Sequence, residues 1–268
     1  MEFNEFPEIQ NLFSLTGRVA LVTGGSRGIG RAVCLCLAAA GARVAVNYHH
    51  RKTEAEEVVS ACEGVYPGDD SPPLPVAVAV QADVSDSYQV ERLCSEVARI
   101  FGTIHITVNN AGLITHQKVI ELSDEDWHSV LQANLDSVFY TSRAALRWMI
   151  PQKWGRIVNI SSHVAQRGSI NHAHYAAAKA GVVAFTKSLA REVASDNILA
   201  NAIAPGRMDT QFNGISDPNE LKRQIAEIPL GRIGSPADVA KAVLFLVSDL
   251  GSYLTGQVIT INGGALMP

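Results

Sequence analysis

The stretch VALV-TGGSRGIG-RAVCLCLAAAG, residues 19–41, decides the fold of this chain. The apolar run Val19 to Val22 reads as a buried strand, and the Ala/Leu-rich run that follows reads as a helix. Between them lies a turn with glycines at 24, 28 and 30. Glycines there let the backbone turn tightly and approach another group closely. A helix starting near Ile29 offers unpaired N–H groups and the positive end of its dipole, a site suited to phosphate. The spacing is TGxxxGxG, not the GxGxxG of the standard dinucleotide fingerprint. A plain tight connection is the competing reading; placement between strand and helix favours nucleotide binding.

A second stretch carries chemistry. In HAHYAAAKAGVVAFTKSLA, Tyr175 and Lys179 stand four apart on a predicted helix, so both project from one face. A free phenol titrates near ~10 and is a poor proton donor or base at neutrality. An ammonium beside it is expected to favour the phenolate and draw that value down. Alone, YxxxK is matched by an ordinary buried Tyr with a solvated Lys.

The ordered set of motifs resembles the short-chain dehydrogenase/reductase family. It comprises TGGSRGIG, then Asn109-Asn110-Ala111-Gly112, Ser162 thirteen residues before Tyr175, Lys179, and Pro205-Gly206 with Thr210. The resemblance runs from about Leu15 to Gly264. Within the family, HYAAAKAG, SLAREVAS and YLTGQVITINGG are most similar to the 3-oxoacyl-carrier-protein reductases and related ketoreductases.

Composition agrees. The 268 residues suit one α/β domain with a large core, 47% hydrophobic and 18% charged. A net charge of −4 without a basic stripe argues against nucleic acid. No run of about eighteen apolar residues is present to span a bilayer. The acidic start MEFNEFPEIQNLF lacks the basic n-region and apolar core of a secretory signal. Cys34, Cys36, Cys62 and Cys94 form no zinc-like pattern and read as small hydrophobes in helices. No His pair has carboxylates at metal spacing, so no metal is expected. Reduced thiols suit a cytoplasmic setting.

Strands are expected near 18–23, 42–48, 76–82, 104–109, 155–161, 198–204 and 257–261. Helices are expected near 28–40, 52–63, 86–101, 123–150, 172–195, 219–227 and 236–248, with Ser85 capping the third. The alternation implies a single Rossmann-like domain, residues 15–268, after a short extension at 1–14. Its doubly wound parallel sheet of about seven strands carries helices on both faces. The Pro/Gly/Asp-rich 64–75 reads as a loop insertion.

The resemblance implies roles. Ser162 binds the substrate carbonyl, Tyr175 donates its proton, Lys179 tunes Tyr175 and holds the nicotinamide ribose, and Asn134 holds a water linking Lys179 to solvent. Cofactor contacts are implied for Gly24, Ser26, Arg27, Gly28, Ile29 and Gly30. They extend to Asp83 and Val84 at the adenine, to Asn110, Ala111 and Gly112 beside the ribose, and to Pro205, Gly206, Met208 and Thr210 at the nicotinamide. Residues 207–230 become a substrate lid. His163 and His172 are expected to line the substrate pocket.

The second strand ends in Asn47 and Tyr48 with no acid, then His49, His50, Arg51 and Lys52. NAD-preferring relatives place an Asp there. NADP(H) is therefore the preferred cofactor, with NAD(H) a usable second, and Arg27 is the first residue expected on the 2′-phosphate. The substrate is a small-molecule or thioester-linked carbonyl. Acyl carrier protein stays open as a partner. Relatives that use it present basic residues near the pocket entrance, and the corresponding positions here are Lys153 and Asp196, the second a charge reversal. A glucose, polyol or steroid-type alcohol dehydrogenase is the alternative on the same site, and a nucleotide-binding regulator with a dead site a more distant one. Apolar positions along 123–150 and 172–195 imply a homotetramer, with a dimer second.

Overall fold

The computed structural model describes residues 9–67, 74–210 and 218–267. Most of the expected insertion (68–73), part of the expected lid (211–217) and residues 1–8 of the expected N-terminal extension lie outside the described residues.

Seven strands form one sheet, and every pairing is parallel. They are β1 (Val19–Val22), β2 (Arg43–Tyr48), β3 (Ala77–Gln81), β4 (Ile106–Asn109), β5 (Gly155–Ile160), β6 (Ile198–Pro205) and β7 (Val258–Ile261). Their order across the sheet is β3-β2-β1-β4-β5-β6-β7. Chain order therefore reverses between β1 and β4, and a crevice opens there at the carboxyl ends of the strands.

The continuous apolar runs follow from burial on both faces. Every residue of β1 is buried, yet its side chains alternate. Ala20 and Val22 join one core with residues of α2 (Gly28–Ala39), α3 (Lys52–Val65) and α10 (Pro236–Val247). Val19 and Leu21 join the other, with residues of α4 (Ser87–Phe101), α6 (Ser137–Met149) and α8 (Ala173–Val193). The short helices α1 (Ile9–Leu12), α7 (Val164–Arg167) and α9 (Pro218–Ala226) complete the set with α5 (Asp124–Leu131).

Two local expectations are corrected. The helix expected over 123–150 runs on without a break in helical backbone, but a π-turn at Gln132–Asp136 divides it into α5 and α6. Asn134 explains it, because its amide donates to Val130 O at 2.9 Å and so competes for a carbonyl within the helix. The cap of α4 is Asp86, not Ser85. The helix begins one residue later than expected, and the Asp86 carboxylate accepts from Tyr88 N and Gln89 N.

A buried polar chain fixes α8 against the sheet. Asn109 Nδ2 donates to Asn159 Oδ1 at 2.8 Å and to Ser142 Oγ of α6 at 3.0 Å. Asn159 Nδ2 donates to Thr186 Oγ1 of α8 at 2.9 Å, and Thr186 in turn donates to Val182 O at 2.7 Å. All four side chains are buried. Replacing Asn159 with leucine removes an acceptor and a donor while leaving their partners dry. We expect Asn159→Leu to cost about 2–4 kcal/mol in urea denaturation; a loss below about 0.5 kcal/mol would show that α8 is held by apolar packing alone.

Candidate active site

The crevice at the switch point widens into one continuous cleft of 2580 Å³. That is more than twice the ~300–1,000 Å³ of a pocket for a drug-sized ligand. It runs along the carboxyl ends of β1, β2, β4, β5 and β6, and every residue singled out for a site lines it except Gly30 and Asn134.

At one end the glycine-rich turn forms the wall. Gly24 and Gly28 have φ of +62° and +54°, which disfavour any side chain. Gly30 plays another part than expected. A Cβ there would sit 2.2 Å from Gly24 O and 2.6 Å from Asn110 Nδ2. It is the close contact between α2 and the turn, not part of the cleft surface. Ser26, Arg27 and Ile29 line the cleft, with Thr210 opposite Gly28.

Asn110 and Thr23 lock the floor. Asn110 Nδ2 donates to Thr23 O and Gly24 O, and Thr23 Oγ1 accepts from Asn110 N and Ala111 N, all between 3.0 and 3.1 Å. The Asn47 amide is equally occupied: it accepts from Gly24 N and donates to Val80 O and Ala82 O. Its side chain therefore pins the turn to β2 and β3 rather than facing a ligand.

Beyond β2, Tyr48, His49, His50 and Arg51 line the cleft. The rings of His49 and His50 stack at 3.5 Å, and His49 Nε2 lies 3.8 Å from the Asp83 carboxylate. Asp83 also accepts from Ser85, and Val84 adjoins it on the wall. The sequence suggested no acid here, but Glu54 from α3 lines the cleft and takes Arg51 at 2.8 Å. Its carboxyl is held below the usual range by its own backbone hydrogen bond and by Arg51, with Arg27 contributing. The guanidinium of Arg27 makes no hydrogen bond or ion pair among the described residues.

At the other end β5 and α8 bring Ser162, Tyr175 and Lys179 together on the cleft wall. Ser162 stands two residues beyond the end of β5, with its side chain close enough to Tyr175 to act on its hydroxyl. Burial pushes Tyr175 up to about 12, partly offset by Ser162. Burial pushes Lys179 down to about 8. The expected effect of Lys179 on Tyr175 is thus overturned. Lys179 Nζ lies 5.7 Å from the Tyr175 ring centroid and donates to Ile160 O at 2.9 Å. Desolvation sets the direction of both shifts, and the ammonium does not figure among the causes acting on Tyr175. Ser161, which the sequence gave no reason to choose, donates to Lys179 O at 2.8 Å and fixes the same turn of α8.

Asn134 lies just behind this wall, fully buried. Its amide nitrogen donates to Leu113 O at 2.7 Å, and its oxygen accepts from Leu113 N at 3.3 Å. Gly112 separates it from Lys179: a Cβ at 112 would stand 2.6 Å from Asn134 Oδ1 and 3.6 Å from Lys179 Nζ. Pro205, Gly206 and Met208 close the cleft from β6, and Gln224, Glu227 and Ile228 reach it from the region of α9. His163 and His172 line the cleft; His174 is buried beneath it and pairs with Thr115 Oγ1 at 2.7 Å.

Lys153 and Asp196 are not at this entrance. They precede β5 and β6, on the opposite edge of the sheet, and they form an ion pair with each other. Burial pushes the thiols of Cys62 and Cys94 up to about 12, so neither is a ready nucleophile. Among the described residues no three His, Cys, Asp or Glu side chains could share a metal, and no helix is long and apolar enough to cross a membrane.

Comparison with known proteins agrees with this geometry. A family model described as enoyl-(acyl carrier protein) reductase matches residues 24–265. The 3-oxoacyl-[acyl-carrier-protein] reductase FabG of Aquifex aeolicus is 41% identical over 253 residues, covering 93% of this chain and 98% of that protein. Its Staphylococcus aureus counterpart is 43% identical over 250 residues, covering 92% and 98%. Among solved structures, a putative gluconate dehydrogenase from Agrobacterium tumefaciens superposes with a TM-score of 0.89 at 36% identity, covering 96% of this chain and 99% of that one. A putative short-chain alcohol dehydrogenase from Sinorhizobium meliloti gives 0.88 at 34%, covering 95% and 98%. The chain belongs to the short-chain dehydrogenase/reductase family and is an oxidoreductase.

Proposed function

We propose that this chain is an NADP(H)-dependent reductase that converts a carbonyl, a 3-oxoacyl thioester or another ketone, to a secondary alcohol. The observation that carries this reading is that Ser162, Tyr175 and Lys179 stand together on the wall at one end of a cleft that begins at the glycine-rich turn. The cleft fits a dinucleotide. The N-terminus of α2 and the bare backbone at Gly24 and Gly28 would receive the pyrophosphate, Asp83 and Val84 would hold the adenine, and Pro205, Gly206, Met208 and Thr210 would hold the nicotinamide. When bound, the reduced nicotinamide supplies the hydride.

The chain supplies orientation and the proton. Ser162 donates a hydrogen bond to the carbonyl oxygen, and Tyr175 transfers its hydroxyl proton to that oxygen as the carbon is reduced. Burial suits this direction, because a phenol held at about 12 remains protonated at neutral pH. Lys179 would hold the nicotinamide ribose hydroxyls, and Asn134 would hold a water that links Lys179 to solvent, from which the proton given up by Tyr175 is replaced. Residues 207–230 act as the lid. The alternative, a polyol- or steroid-type alcohol dehydrogenase, uses the same residues in reverse. A non-catalytic regulator has no need of all three of Ser162, Tyr175 and Lys179.

Tyr175→Phe is expected to bind NADPH but lose roughly 10²–10⁴-fold in kcat, read as the absorbance change of the reduced nicotinamide; near-normal kcat would end the mechanism. Lys179 is an ammonium below about 8 and loses its proton above it. Carbonyl reduction should therefore hold steady below that value and decline as pH rises through it.

For the cofactor, the Arg27 guanidinium inside the phosphate turn makes no hydrogen bond or ion pair among the described residues, whereas Arg51 already pairs with Glu54. We expect NADPH to exceed NADH by about tenfold or more in kcat/KM, roughly 1.4 kcal/mol. Arg27→Ala should remove most of that preference with NADH turnover little changed. Equal use of both cofactors by the unaltered enzyme would refute it.

For assembly, Phe139 is exposed on α6 and meets Phe185 of α8 edge-on at 6.2 Å, with the Arg143 guanidinium 4.8 Å from the Phe139 ring. This apolar face suits pairing of α5, α6 and α8 across a two-fold axis, with a second contact through β7. A homotetramer is the expected state; light scattering that gives a monomer at micromolar concentration would overturn it.

A further inference from the structure

Unmatched polar atoms gather at the substrate end of the cleft. His163 Nδ1 and His172 Nε2 are buried without a hydrogen-bond partner, and both residues line the cleft. His174 Nδ1 and Gln117 Oε1 are in the same condition in the wall just behind them. Buried polar groups are normally satisfied, and a cluster that is not calls for a cause. Packing does not supply it, because this wall is firmly built. His174 meets Thr115, Gln117 N donates to Asn171 O at 2.9 Å, and the His116 and His172 rings meet edge-on at 4.3 Å. His172 Nδ1 is bonded to Ser169 Oγ at 3.0 Å. The loop after β4 is thus stitched to the start of α8, and the His172 and His174 imidazoles are held in place.

We infer that this wall selects a ketone bearing hydroxyl groups on the carbons beside the reacting carbonyl, with His172 and His163 hydrogen-bonding those hydroxyls. The inference rests on the carbonyl-reductase reading. A neutral imidazole presents one donor and one acceptor, and so does a hydroxyl. Burial, with Arg167 and Arg207 nearby, holds His163 down to about 4, and burial with His116 lowers His172, so both rings are neutral at pH 7. An anionic substrate is less well matched. Arg167 and Arg207 line this end, but so do Asp209 and Glu227, and the four formal charges cancel. A carrier-bound substrate is also less well matched, because Lys153 is neutralised by Asp196 and both lie on the far edge of the sheet.

Three probes with the same four-carbon skeleton test the inference: erythrulose, butanone and the acetoacetyl thioester of N-acetylcysteamine. Each is supplied to the whole enzyme with NADPH and with NADH. A site built to bond hydroxyls is left with unpaired groups by an analogue that lacks them. We expect kcat/KM for erythrulose to exceed that for butanone by about 100-fold and that for the thioester by about tenfold or more. His172→Phe should lower the erythrulose-to-butanone ratio by about tenfold, and His172→Gln, which keeps a donor and an acceptor, should restore much of it. A thioester or butanone turned over as well as erythrulose overturns the inference, as does an equal loss on both ketones in His172→Phe. The comparison within the unaltered enzyme decides the matter even if a variant misfolds. Binding of NADPH, seen by its fluorescence, without reduction of any probe would sink the reductase reading itself, and this inference with it.

Discussion

The structure depends on how the backbone is tied where the sheet reverses its order. β1 and β4 are neighbours in space, but the chain leaves them toward opposite faces, so their carboxyl ends part and expose backbone groups. Thr23 and Asn110 resolve this. Four hydrogen bonds between them satisfy the carbonyls of Thr23 and Gly24 and the amides of Asn110 and Ala111. Leaving such groups dry and unpaired would cost about 1–3 kcal/mol each. The same lock sets the height of the glycine-rich turn, and Gly30 must be bare because Asn110 Nδ2 and Gly24 O occupy the space of a side chain. The turn, the N-terminus of α2 and the cleft floor are thus one unit.

A second consequence of burial appears at the other end of the cleft. Desolvation drives Tyr175 up and Lys179 down, so each is moved toward its neutral form. Under the proposed mechanism that is the useful direction for Tyr175, which must keep a proton to give. For Lys179 it brings proton exchange close to neutral pH, as a relay requires. The protein stabilises the Lys179 ammonium with Ile160 O and anchors the backbone of the same residue through Ser161. Three consecutive residues at the end of β5 therefore act on the site: Ile160 through its carbonyl, Ser161 through its hydroxyl to α8, and Ser162 from the cleft wall it shares with Tyr175.

Much of this was legible because it is local. The strand–turn–helix at 19–41, the alternation of apolar runs and helical stretches, and the four-residue spacing of Tyr175 and Lys179 all write themselves into nearby residues. The boundaries of the seven strands fell within one or two residues of expectation for the same reason. What was not legible depends on tertiary neighbours. The π-turn at Asn134 arises from an amide reaching Leu113 and Val130. Only a lone Asn inside an apolar helix signalled it. The Asn109–Asn159–Thr186 chain pairs residues far apart in sequence, and three polar residues in otherwise apolar strands and helix were its only trace. The sign of the Tyr175 shift also escaped, because spacing shows that two side chains share a face but not how dry that face is.

The Lys153–Asp196 pair shows how position in the sheet changes the meaning of a charge. Lys153 is largely exposed, and a surface ion pair contributes at most about 1 kcal/mol. Its weight in the argument is therefore electrostatic rather than energetic. A lone lysine at that corner would project positive potential toward an acidic partner; paired with a carboxylate it projects little. The distance from the cleft matters equally. In a parallel sheet, residues that precede a strand and residues that follow it are separated by the full strand length, about 3.3 Å per residue. Six residues of β5 and eight of β6 separate Lys153 and Asp196 from the site edge, which is on the order of 20 Å. Within one chain these two side chains cannot touch a group bound at Ser162 and Tyr175. Any influence they have on a carrier must pass through a neighbouring copy of the chain, which ties the question of partner to the question of assembly.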